Sequence, residues 1–160
     1  MKKWILGISL VVVVIVIGFF VNVYFQAVKP LNSAEKTAIS DAKQKANLVS
    51  TDQFYQYNGN HAYSVVVGKQ KGGSKVAVWI PLDKKEKVTT IKWADGISKK
   101  VALNKLMEKK TPNKILGIRL GMKDDVPVWE ISFLDKTKKL NYFYVDFLKT
   151  SNHSTLIENI

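Results

Sequence analysis

The chain has two histidines and no cysteine, which sets narrow limits on its chemistry. Without cysteine there is no thiolate nucleophile, no disulfide framework and no cysteine metal site. A side-chain nucleophile of any other kind needs a base held beside it and a donor for the developing oxyanion. His61 follows Asn58, Gly59 and Asn60 in a turn signal, where an exposed polar side chain is expected whatever the function. His153 sits in the polar stretch between Asn152 and Ser154, with no rigid element to fix its ring. The two lack the spacing of a zinc site, so neither a metal nor a cofactor is expected.

The remaining candidates dissolve in the same way. Asp124 and Asp125 are adjacent, so on a strand their carboxylates diverge and in a turn both face water. They read as the end of a hairpin, unlike the opposed carboxylates of a glycosidase. Lys71, Gly72, Gly73, Ser74 and Lys75 superficially suggest a phosphate loop. That loop requires spaced glycines and a Lys-Ser or Lys-Thr pair opening a helix, whereas a strand signal follows here. No catalytic residue is assigned, and the chain is expected not to be an enzyme. Any enzyme would need a polar cleft that these motifs do not announce.

Charge is the next signal, with a formal net charge of +12. Such a balance acts through long-range attraction to anionic surfaces. Arg119 is the single arginine, whereas base recognition and bidentate phosphate clamps favour that residue, so nucleic acid is not the expected partner. Lysine runs occur at Lys84, Lys85 and Lys87, at Lys99 and Lys100, and at Lys136, Lys138 and Lys139. The first and last are candidate contacts to lipid headgroups or to phosphates of wall polymers such as teichoic acids; a merely solvating face is the alternative. Trp79, Trp93 and Trp129 lie in alternating patterns, read first as core and second as a ligand platform or hot spot.

From Trp4 to Val28 there is no charged residue, and Leu10 to Val21 is wholly apolar or glycine. Twenty residues of helix rise about 30 Å, the hydrocarbon thickness of a bilayer. Trp4 and Tyr24 bracket the run at the two interfaces, and Leu10, Val14 and Phe19 are among its lipid-facing residues. Lys2 and Lys3 precede it, which places the N-terminus in the cytoplasm and the rest outside. A cleavable signal peptide is the competing reading, opposed by Phe25 standing two before Ala27 where a small residue is wanted. The expectation is a single-pass plasma-membrane protein: residues 1–3 a cytoplasmic tip, 4–25 a transmembrane anchor and 26–32 a linker.

The rest reads as α+β. Asn32 and Glu35 have capping-box spacing, and Ala34, Ala38, Ala42 and Ala46 then recur at helical period, predicting a helix over 33–50 that lies close against a sheet. Strand signals follow at 53–57, 62–68 and 75–82, and 87–93 links this half to the next. Asp95 or Ser98 starts a second helix, ended by Lys109, Lys110 and Pro112. Strands are predicted again at 114–122, 126–134 and 140–148. Tyr63, Val65 and Val67 match Trp129, Ile131 and Phe133, suggesting two copies of one unit over 33–86 and 87–150. Each would be a helix packed on a curved antiparallel sheet of three or four strands, with 151–160 a flexible tail.

The anchor, the two helix-plus-strands units and the stretch Trp129-Glu130-Ile131-Ser132-Phe133 followed by Tyr142-Phe143-Tyr144 resemble the TseB (YpmB) family of Gram-positive cell-wall elongation regulators. The likeness covers nearly the whole chain. Gly117-Ile118-Arg119-Leu120-Gly121 ahead of the tryptophan strand also resembles a PepSY domain, a small extracytoplasmic module of cystatin-like shape. The resemblance implies a membrane-tethered, non-catalytic regulator that binds a penicillin-binding protein, a transpeptidase of the elongation machinery that builds peptidoglycan. The alternative is an extracytoplasmic peptidase inhibitor or chaperone-like PepSY module, acting through a strand edge or hairpin loop.

Overall fold

The computed structural model describes residues 2–158; the side chains of residues 2–9, 11, 27, 28 and 30–32, that of Trp4 included, lie outside the description. The chain divides into two compact units, Met1–Thr37 and Ala38–Ile160. Helix α1 (Lys2–Ala46) opens the chain, and its described large apolar side chains from Leu10 to Phe25 are 46% to 67% exposed. Among the described residues no helix is long and apolar enough to cross a membrane.

The second unit is α+β and carries two antiparallel four-stranded sheets. The first runs β1 (Leu48–Asn58), β2 (Ala62–Gln70), β3 (Lys75–Pro81) and β4 (Thr89–Lys92) in chain order. After a short 3-10 turn at Trp93–Asp95 comes α2 (Lys99–Lys109). The second sheet is β5 (Lys114–Lys123), β6 (Val126–Leu134), β7 (Leu140–Asp146) and β8 (Ser154–Ile157).

Several boundaries differ from the periodicity reading, each for a local reason. The helix expected to begin at 33 is continuous with what precedes it, and it ends at Ala46 rather than near Ser50. Asn47 takes a left-handed φ of 55°, which stops the helix, and Leu48 already pairs with Gln70. For α2 the cap is Ser98, whose hydroxyl accepts from the Val101 amide at 3.3 Å, while Asp95 belongs to the 3-10 turn. The segment read as a link between the halves supplies β4, an edge strand of the first sheet. The segment read as a flexible tail pairs four of its residues, Ser154 to Ile157, with β7.

Three members of the predicted alanine stripe pack as expected. Ala38, Ala42 and Ala46 are buried against Leu48, Val66, Val76, Val78 and Ile80. Burial of each such valine or isoleucine contributes about 1.5–3 kcal/mol. The alternate residues of the same strands, Val65, Val67, Ala77 and Trp79, join a larger cluster with Leu120, Trp129, Ile131, Phe133, Phe143, Val145 and Phe147, and with Ala102 and Leu106 of α2. The two central strands of the first sheet are therefore buried on both faces, which their unbroken apolar runs required. The second sheet buries one face, and the other carries Arg119, Glu130, Ser132, Tyr142 and Tyr144. The match of Val65 to Ile131 pairs residues of one shared core. The helix of the first half instead covers the alternate set, Val66 and Val78, because a one-residue shift in a strand exchanges its faces.

Candidate interaction surfaces

The open face of the second sheet is built by strand register. Arg119 lies opposite Glu130, and Glu130 opposite Tyr144, so the three share one cross-strand row. The Arg119 Nε donates to Glu130 Oε1 at 2.6 Å, and its Nη2 stands 2.5 Å from the same oxygen. The Glu130 side chain is only 4% exposed, against 40% for Arg119, so the arginine is the partner that meets solvent. Burial first, then the Glu130 carboxylate, pushes the Tyr144 hydroxyl far above its ordinary range.

Aromatic rings frame this pair. The Arg119 guanidinium lies 5.9 Å from the Tyr57 ring, and the Lys123 ammonium 5.6 Å from the Tyr144 ring. Tyr142 and Tyr144, two residues apart on β7, stack with centroids 6.4 Å apart and planes 19° from parallel. Gly121 makes this possible: a Cβ there would stand 2.2 Å from Tyr57 Cδ2. Its carbonyl also accepts from Trp79 Nε1 at 2.8 Å, so one glycine receives side chains from two strands of the other sheet. The partly buried Tyr142 and Tyr144 beside a partly exposed arginine have the composition of a protein-binding hot spot.

The histidines stay apart from any such constellation. His61 Nδ1 stands 2.5 Å from Glu86 Oε1, and the Tyr63 hydroxyl donates to Glu86 Oε2 at 2.8 Å. Burial, and after it Glu86, pushes Tyr63 up to about 12. Beside them is a shallow space of about 190 Å³ lined by Asn60, His61, Tyr63, Met122, Asp124 and Asp125. Asp124 and Asp125 both take positive φ, 49° and 62°, as the tight turn between β5 and β6 demands, so they end a hairpin as read. His153 is exposed and its Nε2 reaches only Thr155 Oγ1 at 3.1 Å. Among the described residues no group of three His, Cys, Asp or Glu converges to hold a metal ion.

The two candidate lysine groups sit on loops of different sheets. Lys84, Lys85 and Lys87 are exposed between β3 and β4, interleaved with Glu86. Lys136, Lys138 and Lys139 are exposed in the β6–β7 turn. Asp135 organises that turn, its Oδ1 accepting from Thr137 Oγ1 at 2.7 Å and from the amides of Thr137 and Lys139 at 2.8 and 3.0 Å. The Thr137 hydroxyl, then the Lys139 amide, hold its carboxyl below the usual range. Lys136 also borders a cleft of about 430 Å³ with Met107, Lys109, Phe133 and Glu158.

Trp79 and Trp129 are buried as core, their indoles donating to Gly121 O and Ile97 O, whereas Trp93 is only partly buried. The Arg119–Glu130 pair escaped the sequence reading. The signals available were the single arginine of the chain and the one charge inside the apolar strand 126–134; their pairing is a matter of register.

The sequence model of the cell wall elongation regulator TseB-like domain matches residues 37–81. The chain is 30% identical over 126 residues to the probable cell wall elongation regulator TseB of Bacillus subtilis, covering 79% of this chain and 78% of that protein. It is also similar to the solved structure of the YpmB protein from Bacillus subtilis, with a TM-score of 0.69 and 30% identity, over 77% of this chain and 95% of that one.

Proposed function

The chain belongs to the TseB-like family of cell wall elongation regulators, and on that premise we propose that it is a membrane-anchored, extracytoplasmic member. It regulates elongation by binding a penicillin-binding transpeptidase and performs no catalysis of its own. The observation that carries this reading is the likeness to a regulator over most of both chains.

Support for the anchor comes from α1, whose apolar side chains between Leu10 and Phe25 are exposed around the helix. An amphipathic helix of a water-soluble protein shows a polar stripe, and lipid is the solvent that suits this one. With Lys2 and Lys3 ahead of the run, the second unit lies outside the cell. Tethering raises the effective concentration of the protein near a membrane-bound synthase, so modest affinity suffices. The contact is the open face of the second sheet, with Arg119, Tyr142 and Tyr144 at its centre.

The test is crosslinking in living cells from a photoreactive residue at Ser132 or Thr155, on that face, and at Glu108, on the exposed side of α2. Capture of a penicillin-binding protein from the face positions, and loss of most of that capture when residues 1–31 are removed, is expected. Cells in which no wall synthase is captured from any position would overturn the reading.

A further inference from the structure

Between Asp52 and Asp83 the sequence contains no acidic residue, yet it contains Lys69, Lys71 and Lys75. The fold concentrates this imbalance. Lys69 and Lys75 face each other directly across the β2–β3 ladder, and the tip between them holds Lys71. On the next strand Lys92 lies opposite Val76, one position from Lys75. The end of α1 arrives at the same edge: Leu48 pairs with Gln70, whose Nε2 donates to the Ala46 carbonyl at 2.9 Å, bringing Lys43 and Lys45 there. Six lysines from three separate segments thus surround one end of the first sheet. Two have partners, Lys75 with Asp52 at 2.8 Å and Lys45 with Asp41 at 3.3 Å. For Lys43, Lys69, Lys71 and Lys92, all exposed, no acidic partner stands within 4 Å among the described residues, although Lys69 acts on Asp52 at longer range.

This arrangement works against stability, since like charges directly opposite in an antiparallel pair repel. It is also fixed rather than floppy: Lys75 is held between Asp52 and the Trp93 ring, 5.2 Å from the centroid. The turn itself is closed by Gly73 N to Gln70 O at 2.8 Å and Gln70 N to Ser74 O at 2.9 Å, with open space around Gly72 and Gly73. Nothing but lysine supplies the charge. Ammonium groups are compact, strongly hydrated point charges suited to phosphate, whereas planar carboxylate recognition favours arginine. Lysine is depleted from protein interfaces, and the aromatic ring beside these six, Trp93, is partly buried and has the Lys75 ammonium over it rather than a face open for stacking a base.

We propose that the β2–β3 end of the first sheet is a binding site for phosphate anions carried along a chain, and that its ligand is a phosphate polymer without bases. The choice of an envelope polymer rests on the extracytoplasmic placement above; the phosphate chemistry does not. The patch is distinct from the face assigned to the synthase and from both lysine groups singled out by sequence.

The test uses the full chain in neutral detergent with labelled inorganic polyphosphate as probe. Affinity is expected to fall about fifty-fold between 50 and 200 mM salt, as neutralisation by four lysines implies. Replacing Lys43, Lys69, Lys71 and Lys92 together by serine should weaken binding at least tenfold. Replacing Lys84, Lys85 and Lys87 should change it less than twofold. Equal losses in the two variants would overturn the site in favour of diffuse net charge, as would unchanged binding in the first. Vesicles of neutral lipid with phosphatidylglycerol form a second arm: the same tenfold loss there, with no polyphosphate binding, keeps the phosphate site but moves its source to the bilayer and overturns the polymer. Tighter binding of a single-stranded oligonucleotide of equal charge also overturns the base-free ligand. Capture of the synthase by the quadruple variant in cells separates a failure here from a failure of the proposed function.

Discussion

At the scale of residues, the most consequential group is a carboxylate that almost no water reaches. Glu130 is tolerable at 4% exposure because Arg119 meets one of its oxygens with two nitrogens. Removing one partner of a buried pair costs more than the pair contributes, because the remaining charge is left unsolvated. Arg119→Ala is therefore expected to destabilise by about 2–3 kcal/mol, at the lower end because the guanidinium is partly solvated. Arg119→Lys should recover only part of that, since a single ammonium replaces a planar fork. Urea unfolding followed by circular dichroism measures both, and an alanine variant within about 0.5 kcal/mol of the parent would contradict the assignment. The rarity of Arg119 was legible in the sequence. Its partner was not, because the eleven-residue separation of Arg119 and Glu130 becomes a contact only through strand register.

Elements show the same division. The alternation of Val65, Val67 and Trp79 announced strands, but the irregularities that shape them were silent. Next to the bulges in β1, Gly68 pairs so closely that a Cβ would stand 2.1 Å from the Ser50 carbonyl oxygen, a backbone atom that cannot swing away. Gly68→Ala should thus cost about 2 kcal/mol or more. Gly72→Ala, with nothing within 4 Å of the added methyl, should stay within about 0.5 kcal/mol. Thermal unfolding of the two variants side by side checks this, and equal melting temperatures would refute the packing argument. The error at the end of α1 has a similar origin. Val49 and Ser50 continue a helical period, and the left-handed turn at Asn47 overrides it.

For the second unit as a whole, the shared core decides behaviour. Trp79 of the first sheet packs edge-on to Phe147 at 5.4 Å, and Tyr55 to Trp129 at 5.9 Å, so neither sheet keeps the face it buries in this shared core if the other unfolds. One cooperative transition is expected, with tryptophan fluorescence and far-ultraviolet circular dichroism superimposing in urea. Two separated transitions would show that the helix-plus-sheet halves are independent. The sequence by itself determined the charge, the lack of cysteine chemistry, the long uncharged apolar run and the order of helices and strands as far as β7. These are properties of composition and local period, carried by each segment alone. Tertiary structure decided which face of each sheet a helix covers, that Glu130 is buried against Arg119, and that lysines from residues 43–45, 69–75 and 92 gather at one sheet end. Such features depend on register and on which segments become neighbours, and a one-residue shift would reverse them without altering the pattern of any segment.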